Sequence, residues 1–189
     1  MSKILVTGGA GYVGSKLTLD LAEKNHEVII YDTCYFGKEK IKNDKNIKLI
    51  EGDIRDKIKF ESAVNGCDTV IHLACISNDP SFDLNEELSK SINFDCFEDL
   101  VSISKKNGVK KFVYASSSSV YGFSDDPNVT EEHPLVPLTL YNKFKGMCEP
   151  VLKKYLDDKF RGVIIRPATV CGYAPHCRLD LSVNILTNH

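Results

Sequence analysis

Six short apolar runs punctuate this chain, and several are nearly continuous rather than alternating. Val28–Asp32 reads VIIYD, Thr69–Ala74 reads TVIHLA and Lys111–Ser116 reads KFVYAS. A strand with one wet face alternates apolar and polar residues, whereas a strand apolar on both faces belongs inside a covered sheet. Strands are expected at Ile4–Thr7, Glu27–Asp32, Ile47–Gly52, Thr69–Ala74, Lys111–Ser116 and Gly162–Pro167. Helical patterns fall between them at Val13–Lys24, Lys57–Val64, Glu86–Lys106 and Tyr141–Leu156. Strand and helix in alternation imply an α/β fold with a doubly wound parallel sheet, joined by right-handed crossovers. Such sheets bind ligands outside the carboxyl ends of their strands. The Asp-, Pro- and Glu-rich stretch Gly122–Pro137 reads as a long loop, and Pro150 should kink or interrupt the last helical pattern.

Bulk properties narrow the function classes. With 189 residues, 42% apolar and 26% charged, the chain can bury a real core. A net charge of −2 gives no electrostatic case for nucleic acid or an anionic membrane. No apolar run is long enough to span a bilayer, and the apolar stretch in MSKILVTGG is too short for a signal-peptide core. The seven cysteines are odd in number and form no CxxC, so neither a disulfide framework nor a metal site is expected. A reduced, cytoplasmic setting follows. The charge-rich stretch from Phe36 to Asn46 reads as a solvated loop.

The first strand runs into TGGAGYVG, which places Gly8, Gly11 and Gly14 at GxxGxxG spacing before an amphipathic run. Gly8 suits a tight turn, Gly11 a close approach of backbone to a pyrophosphate, and Gly14 the packing of helix on sheet. The phosphates would rest on the helix N-terminus. Asp32, ending the second strand, can accept both hydroxyls of an adenosine ribose and would repel a 2′-phosphate. The cofactor indicated is therefore NAD rather than NADP. In GDIRD, Asp53 and Ile54 are placed either against an adenine or, for Asp53, as a cap on the helix that follows.

The fifth strand ends in SSSSVYG, Ser116–Gly122, and about twenty residues later Tyr141 and Lys145 stand at i and i+4. By itself that pair is an aromatic and a cation sharing one helix face. In order along the chain, however, TGGAGYVG, GDIRD, HLA (His72–Ala74), SSSSVYG, YNKFK and RPATVCG resemble the motifs of extended short-chain dehydrogenase/reductases. More narrowly they resemble the NAD-dependent epimerase/dehydratase family that acts on nucleotide sugars. The resemblance spans residues 3–187. It implies a Rossmann-type NAD-binding domain over residues 1–175, and the start of a truncated substrate-binding lobe over 176–189.

It also implies roles. Tyr141 is the acid/base on a sugar hydroxyl, Lys145 lowers its pKa and holds the nicotinamide ribose, and Ser117 hydrogen-bonds the same sugar oxygen. Asn93 supports the site from the central helix, and Arg166–Val170, with Pro167 and Val170, run beside the nicotinamide. Tyr12, Val13, Leu73 and Ala74 complete the cofactor-binding set. A phenol titrates near ~10 in water, so a neighbouring cation is needed for it to act as a base at neutral pH.

Two departures shape the expected activity. Where 4,6-dehydratases of this group carry acidic residues before Val-Tyr-Gly, this chain has Ser118 and Ser119. Loss of water needs an acid, whereas epimerisation through a transient keto sugar with NAD recycled does not. The chain also stops where the substrate lobe would begin. The expectation is an NAD-dependent nucleotide-sugar epimerase or its cofactor-binding part. The alternatives are a non-catalytic NAD-binding module, or a nucleotide-sugar dehydratase or reductase of the same family. A homodimer is expected through the helical stretches Glu86–Lys106 and Tyr141–Leu156, using Leu88, Ile92, Cys96, Leu100, Ile103, Phe144, Cys148, Val151 and Leu152.

Overall fold

The computed structural model describes residues 1–77 and 79–187. Six strands, β1 (Lys3–Thr7), β2 (Glu27–Asp32), β3 (Ile47–Glu51), β4 (Thr69–His72), β5 (Lys111–Ala115) and β6 (Arg161–Ile165), form one sheet. Every pairing is parallel, in the order β3-β2-β1-β4-β5-β6. This is the doubly wound sheet read from the apolar runs. Four strands end one or two residues earlier than expected, because the chain leaves the sheet to form site loops. Lone ladder bonds from Gly52 N to Asp32 O (2.8 Å) and Ser116 N to Ile165 O (2.8 Å) carry the pairing one residue further.

The helices are α1 (Tyr12–Glu23), α2 (Lys57–Val64), α3 (Asp79–Asp83), α4 (Glu86–Lys90), α5 (Phe97–Lys106), α6 (Leu140–Tyr155) and α7 (Ser182–Thr187). The single helix expected over Glu86–Lys106 is broken. A π-helical turn at Ser91–Asp95 separates α4 from α5. There the amide of Asn93 is bound to the backbone of Ile76, and such a turn is a common way to swing one side chain off a helix register. The interruption expected at Pro150 is absent, since α6 runs through it. Pro150 is exposed, and the buried side chains Cys148, Glu149 and Leu152 hold the turns on either side of it.

The two faces of the sheet are covered unequally. On one, Leu5, Ile29, Tyr31, Val70, Phe112 and Tyr114 pack under Phe60 of α2, Phe97 and Leu100 of α5, and Leu152 of α6. On the other, Ile4, Val6, Val28 and Ile30 pack under α1 through Ala22. Register places Ile71, Val113 and Val163 in one row on that second face, with Ala115 beside Ile165. Val163 and Ile165 are 43% and 47% exposed. The α1 face is thus bare over its β5–β6 end.

The apolar side chains expected to pair two copies mostly pack inward instead. Cys96, Leu100, Cys148 and Leu152 are buried, and Ile92, Ile103, Phe144 and Val151 are partly so; Leu88 remains exposed. The amphipathic stripe of α5 is filled by the sheet of its own chain.

Candidate active site

The glycine turn is built by close backbone contact. Gly8 has φ +72°, and a Cβ there would stand 2.7 Å from Ala74 N, so the turn lies hard against the end of β4. At Gly14 a Cβ would stand 2.2 Å from Gly8 O, which fixes α1 against the turn. Gly11 caps α1 without a side-chain hydrogen bond, and the first turn holds no acidic residue. The orphan N–H groups of that turn, together with the positive end of the helix dipole, remain for an anion. Tyr12 and Val13 open the helix. Asp32 is held at the end of β2 by two backbone donors, Ala10 N on Oδ2 (3.0 Å) and Cys34 N on Oδ1 (2.8 Å). Uncapped helix, glycine cradle and fixed carboxylate together fit a dinucleotide, with the carboxylate toward a ribose.

Asp53 does not cap α2; that is done by Asp56, whose side chain accepts from Lys59 N. Asp53 instead pairs with Arg55, whose guanidinium holds the carboxyl below its usual range despite partial burial. Ile54 is 6% exposed and lies in the core with Tyr31 and Phe60, so only its backbone is open to an adenine. Leu73 and Ala74 lie partly buried just beyond β4, where Leu73 N donates to Thr7 O (3.1 Å). Beneath them His72 is fully enclosed, its Nδ1 2.7 Å from Thr7 Oγ1. Desolvation, aided by Lys145, lowers its pKa to about 3, which keeps it neutral.

Asn93 is buried, and both ends of its amide engage one residue. Oδ1 accepts from Ile76 N (2.8 Å) and Nδ2 donates to Ile76 O (2.9 Å). Its amide thereby clamps the loop after β4, in keeping with the supporting place expected of it.

Tyr141 and Lys145 project from the first two turns of α6, which is capped by Thr139. Thr139 Oγ1 in turn donates to Asp79 Oδ1 at 2.6 Å. The Tyr141 ring lies edge-on to buried Phe82. Lys145 is 4% exposed, and its Nζ donates to Ala115 O (2.8 Å), 5.9 Å from the Tyr141 ring centroid. The lysine expected to depress the phenol pKa is thus tied to the end of β5. Burial raises the Tyr141 pKa, Cys75 and Asp79 push the same way, and Arg178 opposes them. Ser117 caps the 3₁₀ turn Ser118–Tyr121. Its Oγ lies 2.5 Å from Ser119 Oγ, which donates to Asn142 Oδ1 (2.6 Å). Pro167 is exposed and accepts Ser118 N through its carbonyl; Val170 is 41% exposed.

Three features were not anticipated. One turn beyond Lys145, Glu149 is 1% exposed and receives the Ser116 hydroxyl (2.7 Å) and two guanidinium bonds from Arg166. Arg166 Nη1 also reaches the Tyr121 hydroxyl (2.7 Å) and Glu131 O. The i+4 spacing from Lys145 to Glu149 was a visible signal. Asp79 beside α6 and Asn184 on α7 had none, lying in short elements without apolar periodicity.

Residues 4–184 match the NAD dependent epimerase/dehydratase family. The chain is 30% identical over 180 residues to a UDP-glucose 4-epimerase of Rhizobium meliloti, covering 90% of this chain and 52% of that one. It is 34% identical over 187 residues to the human dTDP-D-glucose 4,6-dehydratase, covering 92% and 52%. Among solved structures, a UDP-glucose 4-epimerase of Thermus thermophilus in complex with NAD superposes with a TM-score of 0.78 at 27% identity, covering 87% of this chain and 54% of that one. The chain spans about half the length of the curated relatives it matches.

Proposed function

Since this chain belongs to the NAD dependent epimerase/dehydratase family, whose cofactor is NAD, we propose that it forms the cofactor-holding and proton-transferring part of a nucleotide-sugar epimerase. The observation that carries the reading is the pairing of Tyr141 and Lys145 on α6 with a turn after β5 that opens on Ser118 and Ser119 and holds no acidic residue. Both an epimerase and a dehydratase stand among the relatives, so the choice rests on this chain's own residues. Ser118 and Ser119 offer no acid for a leaving hydroxyl.

In this reading Tyr141, as the phenolate, takes the proton of a sugar hydroxyl and returns it after the keto sugar has turned over. Ser117 holds the same oxygen, and Lys145 holds the nicotinamide ribose. When bound, NAD would supply a reversible hydride acceptor for the sugar carbon. The assay is interconversion of UDP-, GDP- or dTDP-sugars with NAD present. Epimer formation without net NADH is expected, whereas stoichiometric NADH would identify a dehydrogenase. A second reading is a non-catalytic NAD-binding module, and NAD binding without turnover of any sugar would select it. A homodimer and a cytoplasmic setting belong to the first reading. Leu88 and Met147, 41% and 38% exposed, are apolar groups left for such a contact.

Asp32→Ala tests the ribose assignment. Losing hydrogen bonds to a charged acceptor should raise the Kd for NAD about 10- to 100-fold, and NADP should be disfavoured less. An unchanged NAD-to-NADP ratio in calorimetric titration would show that the carboxylate does not face the ribose.

A further inference from the structure

The segment after β6 turns back across the carboxyl ends of the strands and is stitched to three separate parts of the cofactor half. Tyr12, the first residue of α1, donates its hydroxyl to Gly172 O (2.6 Å) and accepts from Asn184 Nδ2 (2.9 Å). Asn184 also accepts Gly172 N on Oδ1 (3.0 Å) and donates to Arg178 O (2.7 Å), while being only 6% exposed itself. His176 N donates to Ser15 Oγ (3.3 Å), and its ring packs at 5.7 Å from Phe36 in the loop after β2. Arg178 Nη1 reaches Ser77 O and Oγ in the loop after β4. The anchors therefore lie on the phosphate-binding helix, on the loop following the ribose carboxylate, and on the loop below Tyr141.

Little apolar burial holds this segment down. Ala174 is buried, but Tyr173, Leu179, Val183 and Leu186 are between 46% and 84% exposed. Its closure depends on the polar hub, and individual hydrogen bonds of this kind are weak enough to open thermally. We infer that Tyr12 and Asn184 form a latch that closes residues 172–187 over the cofactor cleft and gates the passage of NAD. This deepens the proposed cofactor-holding role, and rests on it. A gate of this kind leaves a kinetic signature. If only the open fraction admits ligand, loosening the latch raises that fraction and speeds association. It also speeds release, so affinity changes less than either rate. A side chain that merely touches the cofactor changes release alone.

The test is stopped-flow binding and displacement of NADH, followed by its fluorescence, on the full chain and on Asn184→Ala and Tyr12→Phe. Tyr12→Phe keeps the ring and removes only the hydroxyl, so it serves if Asn184→Ala disturbs α7. Both rate constants should rise, by about tenfold in each variant. Thr187→Val, which removes bonds to the backbone carbonyls of Val183 and Asn184 within α7 and leaves the Asn184 amide in place, should leave both rates unchanged. Faster release with unchanged association would make these residues direct ligand contacts and overturn the latch; so would two unchanged rates. Either result leaves the NAD-binding reading standing. Failure of the parent chain to bind NADH would overturn both.

Discussion

Tyr141→Phe should lower turnover by about 10²- to 10⁴-fold while leaving the NAD Kd nearly unchanged. The ring keeps its edge-on contact with Phe82, so the fold loses nothing but one hydroxyl. Lys145→Ala should behave differently. It removes the anchor on Ala115 O along with the cation, so NAD affinity should fall as well as turnover. The contrast is read by steady-state kinetics in whichever form of the protein has activity, and by calorimetric NAD binding in the chain alone. If Lys145→Ala binds NAD as tightly as the parent, Lys145 and Tyr141 are simply neighbours on a helix.

Glu149→Ala should destabilise the fold by about 3–5 kcal/mol. The side chain of Glu149 is 2% exposed and that of Arg166 is 14%. Removing the carboxylate strands a guanidinium beside the Ser116 hydroxyl, with Tyr121 and Glu131 O as its remaining partners. The double variant Glu149→Ala/Arg166→Met should recover part of the loss, because no uncompensated charge remains. Denaturant midpoints of the single and double variants measure both. A single-variant loss below about 1 kcal/mol would class the pair with exposed ion pairs, which contribute little. The network joins α6, the end of β5 and the stretch running into Pro167. The segments assigned to the sugar and the nicotinamide are therefore held at fixed separation by one buried carboxylate.

How much of this was legible in the sequence depended on what carried each signal. The parallel sheet was visible because VIIYD, TVIHLA and KFVYAS are apolar on both faces. The cap of α2 was placed at Asp53, one turn before Asp56, which provides it. The glycine turn was visible because its close backbone approaches leave no room for a Cβ at Gly8 and Gly14. The break before α5 was hidden: it depends on Asn93 reaching Ile76, a contact seventeen positions away that leaves no local trace. Glu149 was missed for another reason, although its i+4 spacing from Lys145 was visible. A glutamate on an amphipathic helix reads as a solvated charge until its arginine is known to sit opposite. The inward packing of Cys96 and Cys148 was missed likewise, since an apolar stripe does not say whether it meets its own sheet or another copy. Asn184 lies in a six-residue helix, too short for a periodic pattern.

The uncovered end of the sheet sets what any further segment or partner would meet there. Among the described residues, Val163 and Ile165 lie on β6, an edge strand whose outer N–H and C=O groups carry no neighbouring strand. Aliphatic side chains beside open ladder positions make a surface that invites pairing. A strand added at that corner would gain ladder hydrogen bonds and apolar burial in the same step.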